Sequence, residues 1–241
     1  MLADKRTSYL FPSVLLGIFF VWFALLAISP YDRHDWALEN ILTTLFVVSL
    51  ILTAKKFPFS KISYWCIFLF LLLHVLGSHY TYAKVPYDQW VQSAFNFSFN
   101  QWMGWERNNF DRLVHFCYGL LLAYPIRELF IRIVNVRGFW GYFLPLDLTM
   151  STSLIFELFE WAVVEIVASD VGQAYLGTQG DIWDAHKDML LAAIGALVAM
   201  LITAAINKHY QKDFAEEWNN SLTVKRKTPL GEIAIEEMME K

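Results

Sequence analysis

The sequence predicts an all-α membrane protein, a polytopic bundle of about six transmembrane helices with both termini in the cytoplasm. Three observations lead there. Of 241 residues, 56% are hydrophobic and only 17% are charged, a composition suited to lipid rather than to water. Apolar runs recur at close to the roughly 20 residues that a helix needs to cross a bilayer. The basic residues segregate between alternate loops.

The spans fall near 10–29, 37–54, 62–80, 111–130, 144–166 and 186–206. The first follows a short charged start with Lys5 and Arg6. It is too long for a signal-peptide core and lacks a small-residue cleavage site, so it reads as a retained span. The first three are ordinary hydrophobic helices. The last three carry acidic and histidine residues, which survive in lipid only where a polar face meets other helices. Pro125 marks a kink in the fourth span and Pro145 the start of the fifth. Residues 81–110 mix Trp90, Phe95, Phe97, Phe99, Trp102 and Trp105 with Asn, Gln and Ser. Such a segment favours the membrane–water interface, either as a cap over the outer end of the bundle or as a loop anchored by its aromatics. Residues 207–241 are polar, with Lys225, Arg226 and Lys227 ahead of an acidic end. The domain reading is a transmembrane domain, 1–206, and a cytoplasmic tail, 207–241.

With the N-terminus inside, 14 of the 19 Lys and Arg lie on the cytoplasmic side. The other 5 are Arg33, Lys84, Arg107, Arg112 and Lys187. This is a clear positive-inside asymmetry, and an even number of spans returns the C-terminus to the same side. The formal net charge is −4, with no basic patch or recognition motif, which sets nucleic acid aside as a partner. Cys66 and Cys117 both sit in spans without a CxxC spacing. They read as small apolar fillers rather than as a disulfide or a metal pair.

Ionisable side chains at membrane depth are costly, so they mark the candidate site. Asp111 and His115 are four apart and stack on one helical face. A His beside a carboxylate suits an acid–base pair or a metal-ligand pair, while Asp111 is also placed to cap the helix start. Glu157 and Glu160 share a face of the fifth span and cannot both stay charged there unless a cation or donors meet them. Asp184 and Asp188 line a face at the start of the sixth, after the turn Gly177-Thr178-Gln179-Gly180-Asp181. His79 closes the third span on the same outer side.

On these residues, His115, Asp111 and Lys187 are the expected catalytic groups. Glu157, Glu160, Asp184, Asp188 and His79 are the expected ligands of a divalent metal ion, and Arg107, Arg112 and Asp181 the expected substrate contacts. Oxygen and imidazole donors together suit Mn, Zn, Fe or Mg. Straight helices would leave Glu157 roughly 10 Å deeper than His115. A single site therefore requires the fifth span to end early or a loop to dip inward.

Five segments carry a family resemblance: HVLGSHYTYAKVP (74–86), RNNFDRLVHFCYG (107–119), RELFIR (127–132), ELFEW (157–161) and GTQGDIWDAHKDM (177–189). They resemble the YjdF-type bacterial inner-membrane proteins, a family of unknown function. The family usually has Gln before the glycine of the second segment, where this chain has Tyr118. A weaker likeness is to the VanZ-like membrane proteins, on whose pattern Asp111, His115, Glu160, Asp184 and Asp188 fall. The first resemblance implies a multi-pass protein of the bacterial inner (plasma) membrane, the second a shared architecture and action at the cell envelope.

Three function classes stay open. The first is a metal-dependent enzyme acting on a lipid or lipid-linked headgroup at the outer leaflet, favoured because carboxylates, histidine and basic groups converge at headgroup depth. The second is an ion-coupled transporter using Glu157 and Glu160. The third is a structural or partner-binding membrane protein.

Overall fold

A computed structural model describes residues 9–166 and 179–225, with 231, 235 and 238–240. Among the described residues all regular structure is helical. The long helices are α1 (Leu10–Leu26), α2 (Arg33–Thr53) and α3 (Lys61–His79), followed by the short α4 (Tyr87–Phe95) and α5 (Phe99–Met103). Then come α6 (Phe110–Leu129), a π-helical turn (Phe130–Val134), α7 (Trp140–Ile166), α8 (Asp184–Tyr210) and the short α9 (Phe214–Ser221).

Each apolar run is a helix, and local chemistry sets its ends. The Asp32 carboxylate starts α2 by accepting from the His34 and Asp35 amides at 2.8 and 3.0 Å, and Ser60 starts α3 by accepting from Ser63 N at 3.2 Å. The π-turn stops at Asn135, whose φ of 56° is left-handed. By length and composition α2, α3 and α8 are apolar enough to cross a membrane, and α1 is apolar but only 17 residues long. The charges on α6 (Asp111, Arg112, Arg127, Glu128) and on α7 (Asp147, Glu157, Glu160, Glu165) lower their hydropathy.

The α6–α8 pair is the most intimate contact in the bundle, with α3 and α7 packed around it and α1 and α2 packed on α3. Two glycines explain the closeness. A Cβ on Gly119 would strike the carbonyl of Ala192, and one on Gly195 the carbonyl of Phe116. The two backbones touch, with Ala192 and Ala196 fully buried between them. Small residues allow such an approach between membrane helices. Stepping outward from Gly119 by fours gives His115 and Asp111, and stepping outward from Ala192 gives Asp188 and Asp184. The contact therefore turns those four side chains toward one another.

Residues 81–110 fold as a cap. Asp88 accepts from Ser98 Oγ (2.8 Å) and Asn100 N (2.9 Å), Tyr87 donates to Asn100 Oδ1 (2.5 Å), and Asn108 Nδ2 donates to the Val85 carbonyl (2.8 Å). Trp90, Phe95, Phe97 and Trp102 remain exposed. At the other end α7 starts at Trp140, so Pro145 lies inside the helix rather than opening it. The extension follows from docking of α9. Phe139 N donates to Ser221 Oγ and Trp140 Nε1 to the Ser221 carbonyl, both at 2.9 Å, and Trp218 packs on Phe139 and Tyr142. Residues 207–221 thus continue the helical body, while Arg226 and Lys227 lie outside the described residues.

Candidate metal centre

The polar residues around the N-terminal ends of α6 and α8 and the C-terminal part of α7 form two layers. In the outer layer Arg107 bridges Asp111 and Asp184, the latter at 2.5 Å. Arg112 bridges Asp181 (2.5 Å) and Asp184 (3.1 Å), and Lys187 meets the same Asp181 oxygen at 2.5 Å. Asp111 also accepts from the Arg112 amide at 2.7 Å. The loop before α8 is stitched to the cap by a reciprocal pair, Asn108 N to Gln179 Oε1 (3.2 Å) and Gln179 Nε2 to the Asn108 carbonyl (2.9 Å). Gly177 and Thr178 lie outside the described residues.

The Lys187 hydrogen bond, then the Trp183 amide and Arg112, hold the Asp181 carboxyl well below its ordinary range. A depressed carboxyl stabilises the fold fully above its unfolded value of about 4, and the contribution is lost as pH falls through the folded value. The stability advantage of wild type over Asp181→Asn is therefore expected to be constant from neutral pH down to about pH 5 and to shrink below about pH 4. Thermal unfolding in detergent across that series measures it, and a difference that shrinks instead toward neutral pH contradicts the assignment.

In the inner layer His115 Nε2 lies 3.7 Å from Glu157 Oε1. Donor atoms of His115, Glu157 and Asp188 all fall within 4.8 Å of one another, as do those of Asp111, Asp184 and Asp188. Asp188 belongs to both groups, but the groups differ in charge balance. Guanidinium groups already meet Asp111 and Asp184. Glu157 and Asp188 are 8% and 5% exposed, and their Oε1 and Oδ1 atoms are buried without a hydrogen-bond partner. Among the described residues no Lys or Arg pairs with either. An uncompensated buried carboxylate costs several kcal/mol, and one imidazole with two carboxylates is a donor set for a borderline divalent cation.

Of the two routes to a single site, an early end to the fifth span is not the one taken. Helix α7 runs on past Glu157 for more than two turns to Ile166, whereas α6 begins little more than one turn before His115, beneath the cap. The helix ends are not level, and that offset brings Glu157 to His115. Glu160 is in neither group; Glu39, Glu157, Asp188 and Asp184 lie within its electrostatic range. His79 is placed elsewhere, its Nδ1 at 2.7 Å from the Leu26 carbonyl, where it ties α3 to α1. Tyr118 shares a hydrogen bond with Thr152 of α7 at 2.6 Å.

The sequence reading passed over one polar face. Helix α2 buries Glu39 and Asn40. Asn40 Nδ2 donates to Ser78 Oγ at 3.0 Å, and His74 sits between the Tyr82 hydroxyl (2.5 Å) and the Glu39 carbonyl (3.2 Å). The three-then-four spacing of Asp32, Asp35 and Glu39 was the available signal.

The family model described as "Predicted membrane protein (DUF2238)" matches residues 11–209, from α1 to the end of α8. The chain belongs to this family. Inner membrane protein YjdF of Escherichia coli (strain K12) is 35% identical to this DUF2238 chain over 178 residues, covering 73% of the chain and 81% of the relative. The DUF2238 chain is a protein of the bacterial inner membrane. No solved structure matches it.

Proposed function

We propose that this chain is a divalent-cation-dependent enzyme acting on a lipid or lipid-linked headgroup at the outer leaflet. The observation that carries the reading is the inner group, in which two buried carboxylate oxygens without partners stand beside an imidazole. His115, Glu157 and Asp188 hold the ion, and Asp111 and Asp184 position the two arginines. A bound divalent ion there supplies Lewis acidity toward a phosphoryl oxygen and an activated water. Arg112 and Lys187 receive the phosphate, with guanidinium geometry suited to two-point contact, and Asp181 holds both cations at the mouth until then. Exposed Ile182 and Trp183 beside that mouth face the region where a lipid presents its headgroup.

The topology that goes with this function has α1, α2, α3, α6, α7 and α8 as spans, the transmembrane domain followed by a cytoplasmic tail, and both termini inside. The distribution of Lys and Arg supports it. The buried acidic residues Glu39, Glu157, Asp184 and Asp188 all fall in the outer halves of their helices. That favours an outer-leaflet site over a conduit through the inner half. The test is headgroup release from reconstituted vesicles holding a panel of phospholipids and prenyl-linked phosphates. Release that needs Mn2+ or Zn2+, stops with chelator and falls at least about 100-fold in His115→Ala supports the enzyme. Metal-loaded protein that leaves every headgroup intact overturns it.

A further inference from the structure

At the end of the bundle opposite the metal centre, α1 and α2 diverge. Their other ends meet, with the Phe23 and Trp36 rings 5.6 Å apart, but beyond that contact each packs mainly on α3. The result is a groove of about 200 Å3 with α3 as its floor. Leu16 and Phe19 form one wall, Leu50 and Ile51 the other, and Ile67 and Leu71 the floor. Among the described residues no charged side chain lines it, and the Tyr64 hydroxyl at its end already accepts from Phe59 N at 3.3 Å. Water needs about two to four polar partners to stay in such a space, whereas hydrocarbon needs none. Along α2 the lining runs from Val47 to Ala54, about 10 Å at the helical rise per residue.

We infer that the groove holds one acyl chain of an anionic phospholipid whose headgroup rests on Lys55, Lys56 and Lys61. This site stands apart from the metal centre and does not depend on it. Lipid tails are as apolar as the groove, so chain burial alone selects no lipid. Selection falls to the charges at the mouth. Lys55 and Lys56 directly follow Ala54, the last lining residue of α2, and Lys61 lies one turn before Tyr64, the first lining residue of α3. All three lysines are exposed, and among the described residues no carboxylate pairs with them. Lys61 Nζ lies 5.8 Å from the Phe11 ring of α1, which brings its charge across the mouth. The carboxylate bonded nearby, Glu128, is taken by Ser60, Ser63 and Arg132. Three unneutralised ammonium groups at the end of an uncharged slot match a phosphate that carries a hydrocarbon tail. Each lysine at such a surface is worth about fivefold in affinity for an anionic lipid.

The experiment is photolabelling of full-length protein in vesicles with phosphatidylglycerol that carries a diazirine in one acyl chain, the adducts being mapped by peptide mass spectrometry. Phosphatidylcholine with the same chain is the comparison probe. Adducts are expected on Leu16, Phe19, Leu50 and Ile51, at least about fivefold stronger from the anionic probe. Lys55→Gln with Lys56→Gln removes that preference, and both side chains are exposed, so the fold is undisturbed. Ala54→Trp plugs the mouth and abolishes groove adducts from either probe, while adducts on the exposed Leu154 of α7 and Leu201 of α8 stay as in the wild type. Groove adducts no stronger than those on Leu154 and Leu201, or equal from the two probes, mean surrounding bilayer lipid only and overturn the site. Adducts that persist in Ala54→Trp overturn it as well.

Discussion

Gly119→Val drives α6 away from α8, destabilising the protein by about 3 kcal/mol or more and emptying the centre. The magnitude follows from what the new side chain meets. Its Cβ strikes the backbone carbonyl of Ala192, which is fixed within α8 and cannot rotate aside, so the helices must separate. Overpacking of a tight contact costs about 1–3 kcal/mol where side chains can yield, and here backbone would have to yield. The same displacement parts His115 and Asp111 from Asp188 and Asp184, because those pairs lie one and two turns outward on the contacting faces. Gly119→Ala acts in the same direction with a smaller loss. Gly17→Ala on α1 is the control, since a Cβ there meets nothing within 4 Å and alanine is the better helix former. Thermal unfolding in detergent, with metal content taken alongside, separates these outcomes. A Gly119→Val protein that melts with the wild type and keeps its ion contradicts the backbone contact.

Removal of Arg107 is the second large effect. Arg107→Met takes its guanidinium pair from Asp111 and leaves Asp184 with Arg112. Breaking a buried ion pair by removing one partner costs about 3–5 kcal/mol, because the remaining charge has lost its compensation. Adding Asp184→Asn to Arg107→Met removes one of those charges and recovers part of the loss. A double-mutant cycle reads the coupling directly. Additive losses in the two single variants would mean that Arg107 holds its place by packing alone.

The helices were legible because apolar run length is a strong signal in lipid. Asp111 with His115 and Asp184 with Asp188 were legible as pairs, since four-residue spacing fixes a shared helical face whatever the tertiary contact. Which pairs meet was not legible. That depends on Gly119 and Gly195, whose role is to be absent where another backbone passes, and a glycine in an apolar run carries no sign of its partner. The depth of Glu157 was not legible for a related reason: straight helices leave it roughly 10 Å deeper than His115, and how the ends of α6 and α7 sit against each other is set by packing rather than by run length. His79 looked like a ligand by its side of the membrane, yet the first free acceptor it meets is the carbonyl at the end of α1. Asp35 and Glu39 were passed over because acids in the first turns of a helix ordinarily serve its dipole and face water.

The central claim is that His115, Glu157 and Asp188 hold one divalent ion. The measurement that tests it most directly is elemental analysis of purified full-length protein, wild type against Asp188→Ala. The account predicts about one bound divalent ion per wild-type chain and none in the variant, with the variant still folded by circular dichroism. A wild type free of metal, or a variant that retains the same content, would contradict it.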